Sequence, residues 1–581
     1  MPLHQFDYLF AIGTIFAALD AWNIGANDVA NSWATSVASQ SVTYIQAMVL
    51  ASAMEFAGSV GVGARVSDTI RTKVIDTTLF TDDPALLMLG MVCAVVSSSL
   101  YLTFATKMGM PVSTTHSIMG GVIGMGVATV GADGVQWVGR DKSGNFNVNA
   151  GVVQVFLAWI IAPGLAGIFG SIIFLITKFG VMKRSNPVRN ALYFVPVYFG
   201  LTASLLTMLL LWKGGGYKVT LTDSEVAGTI VGVGAAFALL VTVTLMPWLY
   251  RVVLLDDWQL RWWHIPLGLF LLRRGEVPER PSQVTDTGIK DYYAGRLTKA
   301  ELDAQKAEGR DDVEITADAK TPIVGGSSDA GSGERPTATA PPSKRGKLVG
   351  PKPEGPWYNG RVLFWYAKWA VLHGIDQDVV YAQNEKSTIA GDLAEVHAHA
   401  DHFDNKAEYM YSFLQVMTAA TASFTHGAND IANAIGPYAT IFEIWNSEKL
   451  PDSSKAKVPI WILVFGGACL VIGVWTYGYN IMRNLGNRLT LQSPSRGFSM
   501  ELGSAITVIL ATRLKLPVST TQCITGATVG VGLCSGTWRT VNWRMVAWIY
   551  LGWFITLPVT GIISGCLMGI IINAPRWGYG G

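Results

Sequence analysis

Two short runs of this chain carry side chains able to hold a cation inside otherwise apolar surroundings: Gly25-Ala26-Asn27-Asp28-Val29-Ala30-Asn31 and Gly427-Ala428-Asn429-Asp430-Ile431-Ala432-Asn433. On a helix, Asn27 and Asn31 lie one turn apart, with Asp28 about 100° round from Asn27. The stripe extends backwards through Asn23 and Asp20. A charge at the centre of a bilayer costs about 2.5 to 17 kcal/mol, so such residues face a cavity, a partner or an ion. Clustered oxygens suit a hard cation. The plainer reading is that the amides and carboxylates bridge neighbouring helices by hydrogen bonds.

A second motif also occurs twice, as Pro111-Val112-Ser113-Thr114-Thr115-His116 and Pro517-Val518-Ser519-Thr520-Thr521-Gln522. Proline disfavours helical geometry at the preceding residue, and the hydroxyls that follow cap a helix start. The free amides of a first turn, the positive end of the helix dipole and three hydroxyls together suit a tetrahedral oxyanion. An anion cradle beside Asp28 and Asp430 would suffer strong repulsion at low dielectric. Cations held by the Asp and Asn oxygens would relieve it, as would protonation of an aspartate.

The elements that must position these groups are membrane helices. Of the 581 residues, half are hydrophobic and 14% charged, and the mean hydropathy is +0.34, which defines an integral membrane protein. A net charge of +2 with no dense basic patch argues against nucleic acid as a partner. Cys93, Cys469, Cys523, Cys534 and Cys566 lack metal-ligand spacing and read as buried thiols. The first apolar stretch lacks a basic leader and cleavage site, so it is expected to be a retained span.

Twelve apolar segments are expected: seven up to residue 250, and five more from 408 onwards. Between them, residues 251–407 form a polar loop containing the run Gly325 to Pro342 and the basic cluster Lys344, Arg345 and Lys347, too polar to fold alone. Trp258, Trp262 and Trp263, and the stretch Trp357 to His373, suit amphipathic helices in the headgroup layer or packing against span ends. Lys178, Lys183, Arg184 and Arg189 share a side with Arg251, Arg273 and Arg274, which puts the loop in the cytosol and both termini outside; Arg65, Arg71 and Lys73 run against that orientation.

The first motif recurs after 402 positions and the second after 406, in the same order, which marks an internal duplication. Seven crossings separate the segment of Asp28 from that of Asp430, an odd number, so the halves are inverted. The expected fold is all-α, with about twelve transmembrane segments in two inverted-topology repeats, 1–250 and 408–581, and discontinuous helices at the midplane. Gly120, Gly121, Gly124 and Gly126, matched by Gly526, Gly530 and Gly532, serve close helix packing.

These paired motifs, with a long polar loop between inverted halves, resemble the inorganic phosphate transporter (PiT) family, particularly its fungal sodium-coupled phosphate symporters. The resemblance covers roughly residues 7–250 and 408–575. It implies uptake of inorganic phosphate with sodium as co-substrate and no other cofactor, in a plasma membrane. It also implies cation binding by Asn27, Asp28, Asn429 and Asp430 and phosphate binding by Ser113, Thr114, Thr115, Ser519, Thr520 and Thr521. Asn31 and Asn433 join as candidate gating or coupling residues. The halves differ at His116 and Gln522; His116 could relay a proton, donate to phosphate or act as a neutral hydrogen-bonding residue. Glu55 and Glu501 resemble membrane glutamates of the family's animal members, and could gate, coordinate or pair with an arginine. The expected partners are phosphate, sodium and the bilayer, with a second copy of the chain left open.

The expected function is therefore alternating-access symport, with proton coupling as the nearest rival. A phosphate sensor with a signalling loop is a second rival. No zinc-binding histidine cluster or nucleophile elbow supports an enzyme, and buried carboxylates are poorly placed in a passive anion channel.

Overall fold

The computed structural model describes residues 3–65, 75, 77–140, 146–147, 151–213, 221–280, 288–307, 348–384, 389–450, 458–513 and 518–574. Arg71, Lys73, the run Gly325 to Pro342, the cluster Lys344, Arg345 and Lys347, and Pro517 lie outside them. Among the described residues, apart from one pair of two-residue strands at Gly139–Arg140 and Phe146–Asn147, the regular structure is helical.

In the first half, α1 (Asp7–Asn23) runs through a π turn at Ile24–Asp28 into α2 (Val29–Ala38). Then come α3 (Tyr44–Val62), α4 (Pro84–Met108), α5 (Thr114–Val130), α6 (Val153–Thr177), α7 (Pro187–Lys213) and α8 (Asp223–Leu249). The second half has α9 (Asn405–Ser447), α10 (Ile460–Tyr477), α11 (Pro494–Arg513), α12 (Thr520–Ser535) and α13 (Trp543–Asn573). All twelve apolar segments coincide with these helices. Eight helices among the described residues are long and apolar enough to cross a membrane.

Local sequence sets the ends. Thr43 and Gln46 form a capping box on α3. Asp83 caps α4 with Pro84 in its first turn, and Gly109, at φ 71°, ends α4 in the left-handed conformation. Pro111 and the Ser113 cap then restart the chain as α5. The π turn adds a residue to the helical wheel at the Gly-Ala-Asn-Asp run, turning Asn27 and Asp28 toward the α4–α5 turn. Its counterpart in α9 is uninterrupted.

Contacts fix the directions. α1 and α4 run parallel: Gly13 packs on Val92, Ser98 bonds Asp20, and Asn27 bonds Met110. α5 turns back along α4, with Gly121 against Ala94 and Gly90 against Met125. α4 and α5 therefore form a hairpin whose arms both open at the end where α1 begins. α11 and α12 form a second hairpin, Glu501 lying beside Thr35 of α2 and Arg496 bonding Ser535, so its arms open at the opposite, loop-bearing end. Net passages between Asp28 and Asp430 are thus made by α1–α2, α3, α6, α7 and α8, five and not seven. The number remains odd, because a hairpin that returns removes two, and the inversion of the halves holds. Among the described residues, α7 and α8 have no counterpart in the second half.

Where α1 crosses α10, a Cβ at Gly25 would overlap the Leu470 carbonyl and one at Gly473 would overlap that of Trp22, so the backbones touch. Two large apolar clusters flank the hairpins, one around α1, α3, α4 and α10 and one around α7, α8 and α9. Of the cysteines, Cys93 and Cys523 are buried, Cys469 and Cys534 are half-buried, and Cys566 is exposed, since α13 turns that side outward; none forms a disulfide.

The described parts of the loop fold onto the loop-bearing end. Tyr293 donates to Glu408 (2.8 Å), and Lys178 and Lys183 hold Asp401 at 2.8 and 3.1 Å. Burial raises the pKa of the Asp401 carboxyl, but the two lysines outweigh it and the net shift is downward. Arg251, buried, bonds Asp257 (2.9 Å) and the carbonyls of Leu271, Arg274 and Gly275, tying the stretch after α8 back onto that helix. Arg251→Met leaves the buried Asp257 with only the longer contact to Arg274 (3.6 Å) and should cost about 3 kcal/mol. The measurement is thermal unfolding in detergent; an unchanged Tm would show that this pair does not hold the segment.

Candidate functional site

The tips of the two hairpins meet end to end at the Gly-Ala-Asn-Asp runs. Asp28 accepts hydrogen bonds from Thr114 (2.6 Å) in its own half and from Thr521 (3.0 Å) in the other. Asp430 accepts one from Thr520 at 2.8 Å. The asparagines reach across: Asn31 donates to Thr521 (2.8 Å), and Asn433 to Thr114 (3.0 Å) and Thr115 (3.1 Å). Each aspartate thus holds the first threonine of its own hairpin, and each asparagine holds the second threonine of the opposite one. All of these residues are buried, Thr520 the least so at 9% exposure.

The two copies differ in detail. His426 lies on α9 one turn before Asp430, where the first copy has Ile24. Its Nδ1 lies 2.8 Å from Glu55 Oε2, and its Nε2 lies 2.9 Å from Asp430 Oδ2, at ion-pair distance but out of line for a hydrogen bond. Ligand atoms of Asp28, His426 and Asp430 lie within 4.8 Å of one another. Sequence comparison of the copies overlooked His426 because it has no match; the signal was an ionisable residue at i−4 from Asp430 within an apolar helix.

Asn27 spends its amide on the α4–α5 turn. Its Nδ2 donates to Thr106 Oγ1 and Met110 O, both at 3.0 Å, and its Oδ1 accepts from Val112 N at 3.1 Å. One lone pair of Oδ1 is left for a cation. Asn31 offers more, since its Oδ1 is buried without a partner. Asn429 is half-buried in the second copy, one residue before Asp430. Ser113 and Ser519 cap α5 and α12 by accepting from His116 N and Gln522 N, which leaves their hydroxyl protons free to donate. His116 points away from the tips: its Nε2 accepts from Trp159 at 2.8 Å, the arrangement of a neutral imidazole.

Among the described residues, neither membrane glutamate pairs with an arginine. Glu55 takes Ser423 (2.7 Å) and His426, which places it against the cluster. Glu501 lies farther toward the loop-bearing end, with donors from Thr35 (2.6 Å), Ser36 (2.7 Å), Thr418 (2.6 Å) and Gln415 (3.2 Å), joining α2, α9 and α11. Between the tips and that network is a small cavity of about 20 Å³ lined by Asn31, Thr425, His426, Ser504 and Thr520. Such a volume admits roughly one water. A tetrahedral oxyanion needs the tips to part.

Chemically, the meeting point offers two carboxylates, amide oxygens, hydroxyls and two helix starts aimed at each other from opposite ends. That is the arrangement of a secondary transporter with an ion-linked substrate site between inverted repeats. Residues 24–564 match the model of PHO4, the phosphate transporter family, and the chain belongs to that family. It is 71% identical to the phosphate-repressible phosphate permease pho-4 of Neurospora crassa, over the whole of both chains. It is 27% identical to sodium-dependent phosphate transporter 2 of Homo sapiens, covering 98% of this chain and 99% of that one. A solved structure described as the sodium-dependent phosphate transporter shares the fold, with a TM-score of 0.61 and 23% identity over 97% of this chain and 99% of that one.

Asn27→Ala removes three hydrogen bonds from the α4–α5 turn and should destabilise the protein by about 2–4 kcal/mol, at about 1 kcal/mol for each bond plus the cost of stranding Val112 N. Thermal unfolding of the purified variant measures this. A Tm equal to that of the parent would mean that the turn is held by other contacts.

Proposed function

We propose that the chain imports inorganic phosphate together with sodium by alternating access. The observation that carries this reading is the pair of Asp–Thr contacts, Asp28 with Thr114 and Asp430 with Thr520, set face to face and laced by Asn31 and Asn433. Carboxylate, amide and hydroxyl oxygens are the ligands a hard cation takes. The names of the animal relatives, sodium-dependent phosphate transporters, support sodium in that role.

The same contacts supply a coupling mechanism. The hydroxyl protons of Thr114, Thr520 and Thr521 are directed at carboxylates. Sodium bound to the carboxylate and to the hydroxyl oxygen lone pairs turns those protons outward, where they donate to phosphate. Ser113, Ser519, Thr115 and the first-turn amides of α5 and α12 complete the cradle. Positive charge between Asp28, Asp430 and the anion also lowers a repulsion that would otherwise be severe at low dielectric. Phosphate therefore binds after sodium. Each net positive charge moved down 100 mV contributes about 2.3 kcal/mol to accumulation.

The plasma membrane is the location that fits import, with the loop-bearing end in the cytosol. Lys178, Lys183, Arg251, Arg273 and Arg274 gather at that end, as the positive-inside rule requires. The start of α1 and the end of α13 then face outward, Glu501 links the α11–α12 hairpin to α2 and α9, and Glu55 joins α3 to α9 beside the cluster.

The test is uptake of labelled phosphate by proteoliposomes with sodium or choline outside and equal pH on both sides. Sodium stimulates uptake in the parent, and Asp28→Asn abolishes that stimulation while the purified protein keeps its elution profile. Uptake that ignores sodium but follows an imposed pH gradient would transfer the coupling to protons and overturn the reading.

A further inference from the structure

The inverted repeat allows the cavity beside the hairpin tips to be matched, residue by residue, with its counterpart in the other half. The cavity is bounded mainly by the second half, with Asn31 and Ser32 of α2 on one side, and its wall includes Ala422 and Thr425 of α9 and Ser504 and Ala505 of α11. Shifted by the 402 and 406 positions that separate the motifs, these correspond to Asp20, Asn23, Ser98 and Ser99 in α1 and α4. All four counterparts are fully buried, at 0% exposure. The first-half counterpart is packed shut, and what fills it is polar.

Asp20 is the feature that the transport reading above leaves without a task. It is a carboxylate in the middle of a bundle where its repeat partner is alanine. Ser98 donates to Oδ1 at 2.8 Å, whereas Oδ2 is buried without a partner. One turn on, Asn23 is anchored through Nδ2 to Leu19 O, Ser99 O and Thr103 Oγ1, and its Oδ1 is likewise buried without a partner. Two orphaned oxygens on the same face of α1 are costly to retain for structure alone, at about 1–3 kcal/mol for each buried unsatisfied group. Eight residues along the helix axis, about 12 Å, separate Asp20 from Asp28 on the side of the end where the chain begins.

We propose that Asp20, with Asn23 and Ser98, forms a third sodium station on the leg of the pathway between the N-terminal end and the hairpin tips. Alternating access by inverted repeats exchanges the conformations of the two halves. When the first half opens as the second half is open here, the matched cavity forms between α1 and α4 with Asp20 Oδ2 and Asn23 Oδ1 on its wall. An entering cation meets two uncommitted oxygens there before it reaches Asp28. The second half needs no such station at Ala422, because on that leg the cations leave. The inference rests on sodium being the coupling ion.

The test uses the full-length protein in proteoliposomes, with the sodium dependence and the phosphate dependence of uptake measured separately. Asp20→Asn should raise the sodium concentration for half-maximal uptake by about tenfold, the loss of one charge-assisted contact. The phosphate KM at saturating sodium should stay within about twofold, since Asp20 does not touch the phosphate cradle. Ser98→Ala keeps the carboxylate and removes a single oxygen, and should raise the sodium requirement by about threefold, which keeps the proposal testable if Asp20→Asn does not fold. A parent-like sodium curve in a folded Asp20→Asn protein, or in Ser98→Ala when Asp20→Asn does not fold, would overturn the third station and leave sodium coupling standing. A raised phosphate KM with unchanged sodium dependence would overturn it too, by showing a structural effect. A parent protein indifferent to sodium would overturn both readings together.

Discussion

Everything near the centre of this molecule answers to one constraint: Asp28 and Asp430 are buried within a few ångströms of each other. Two carboxylates taken out of water are costly, and their repulsion grows as the dielectric falls. The structure compensates with dipoles and donors brought from both halves. Hydroxyls of Thr114, Thr520 and Thr521, the amides of Asn31 and Asn433, and the imidazole of His426 are all spent on this cluster or on one another. The three hydroxyls sit at helix starts inside the bundle, which explains why both hairpins must end there and not at its surface.

That arrangement also gives the bundle its moving parts. At each hairpin tip a cation competes directly for the oxygens of a threonine–carboxylate contact, whereas the α4–α5 turn behind the tip is fastened by Asn27, Asn480 and Asn484. Larger buried networks lie away from the tips. Glu501 ties α2 to α9 and α11, and Arg251 and Arg496 are saturated by carbonyls and hydroxyls near the loop-bearing end.

The inverted repeat is a symmetry of topology more than of chemistry. The first run lies in a π turn and the second in an unbroken helix; Ile24 stands where the second half has His426; Asp20 stands where it has Ala422. In an alternating cycle the two halves trade conformations, so differences of this kind make the two directions of opening chemically distinct. One leg carries an additional carboxylate and the other carries the imidazole.

The class of the protein, the duplication, the twelve helical segments and the residues gathered at the tips were legible in the sequence, because an apolar run of sufficient length has few structural options in a bilayer and because the paired motifs are written twice. The parity of the inversion was legible as well. Whether α4–α5 and α11–α12 pass through or return was not, since length and hydropathy are the same for both and only packing against α1 and α9 decides it. Nor could the sequence apportion roles within the motifs. That Asn27 fastens a turn while Asn31 keeps a free oxygen, and that His426 joins Glu55 to Asp430, depends on which side chains from segments hundreds of residues apart come within about 3 Å of each other, a distance only the tertiary structure sets.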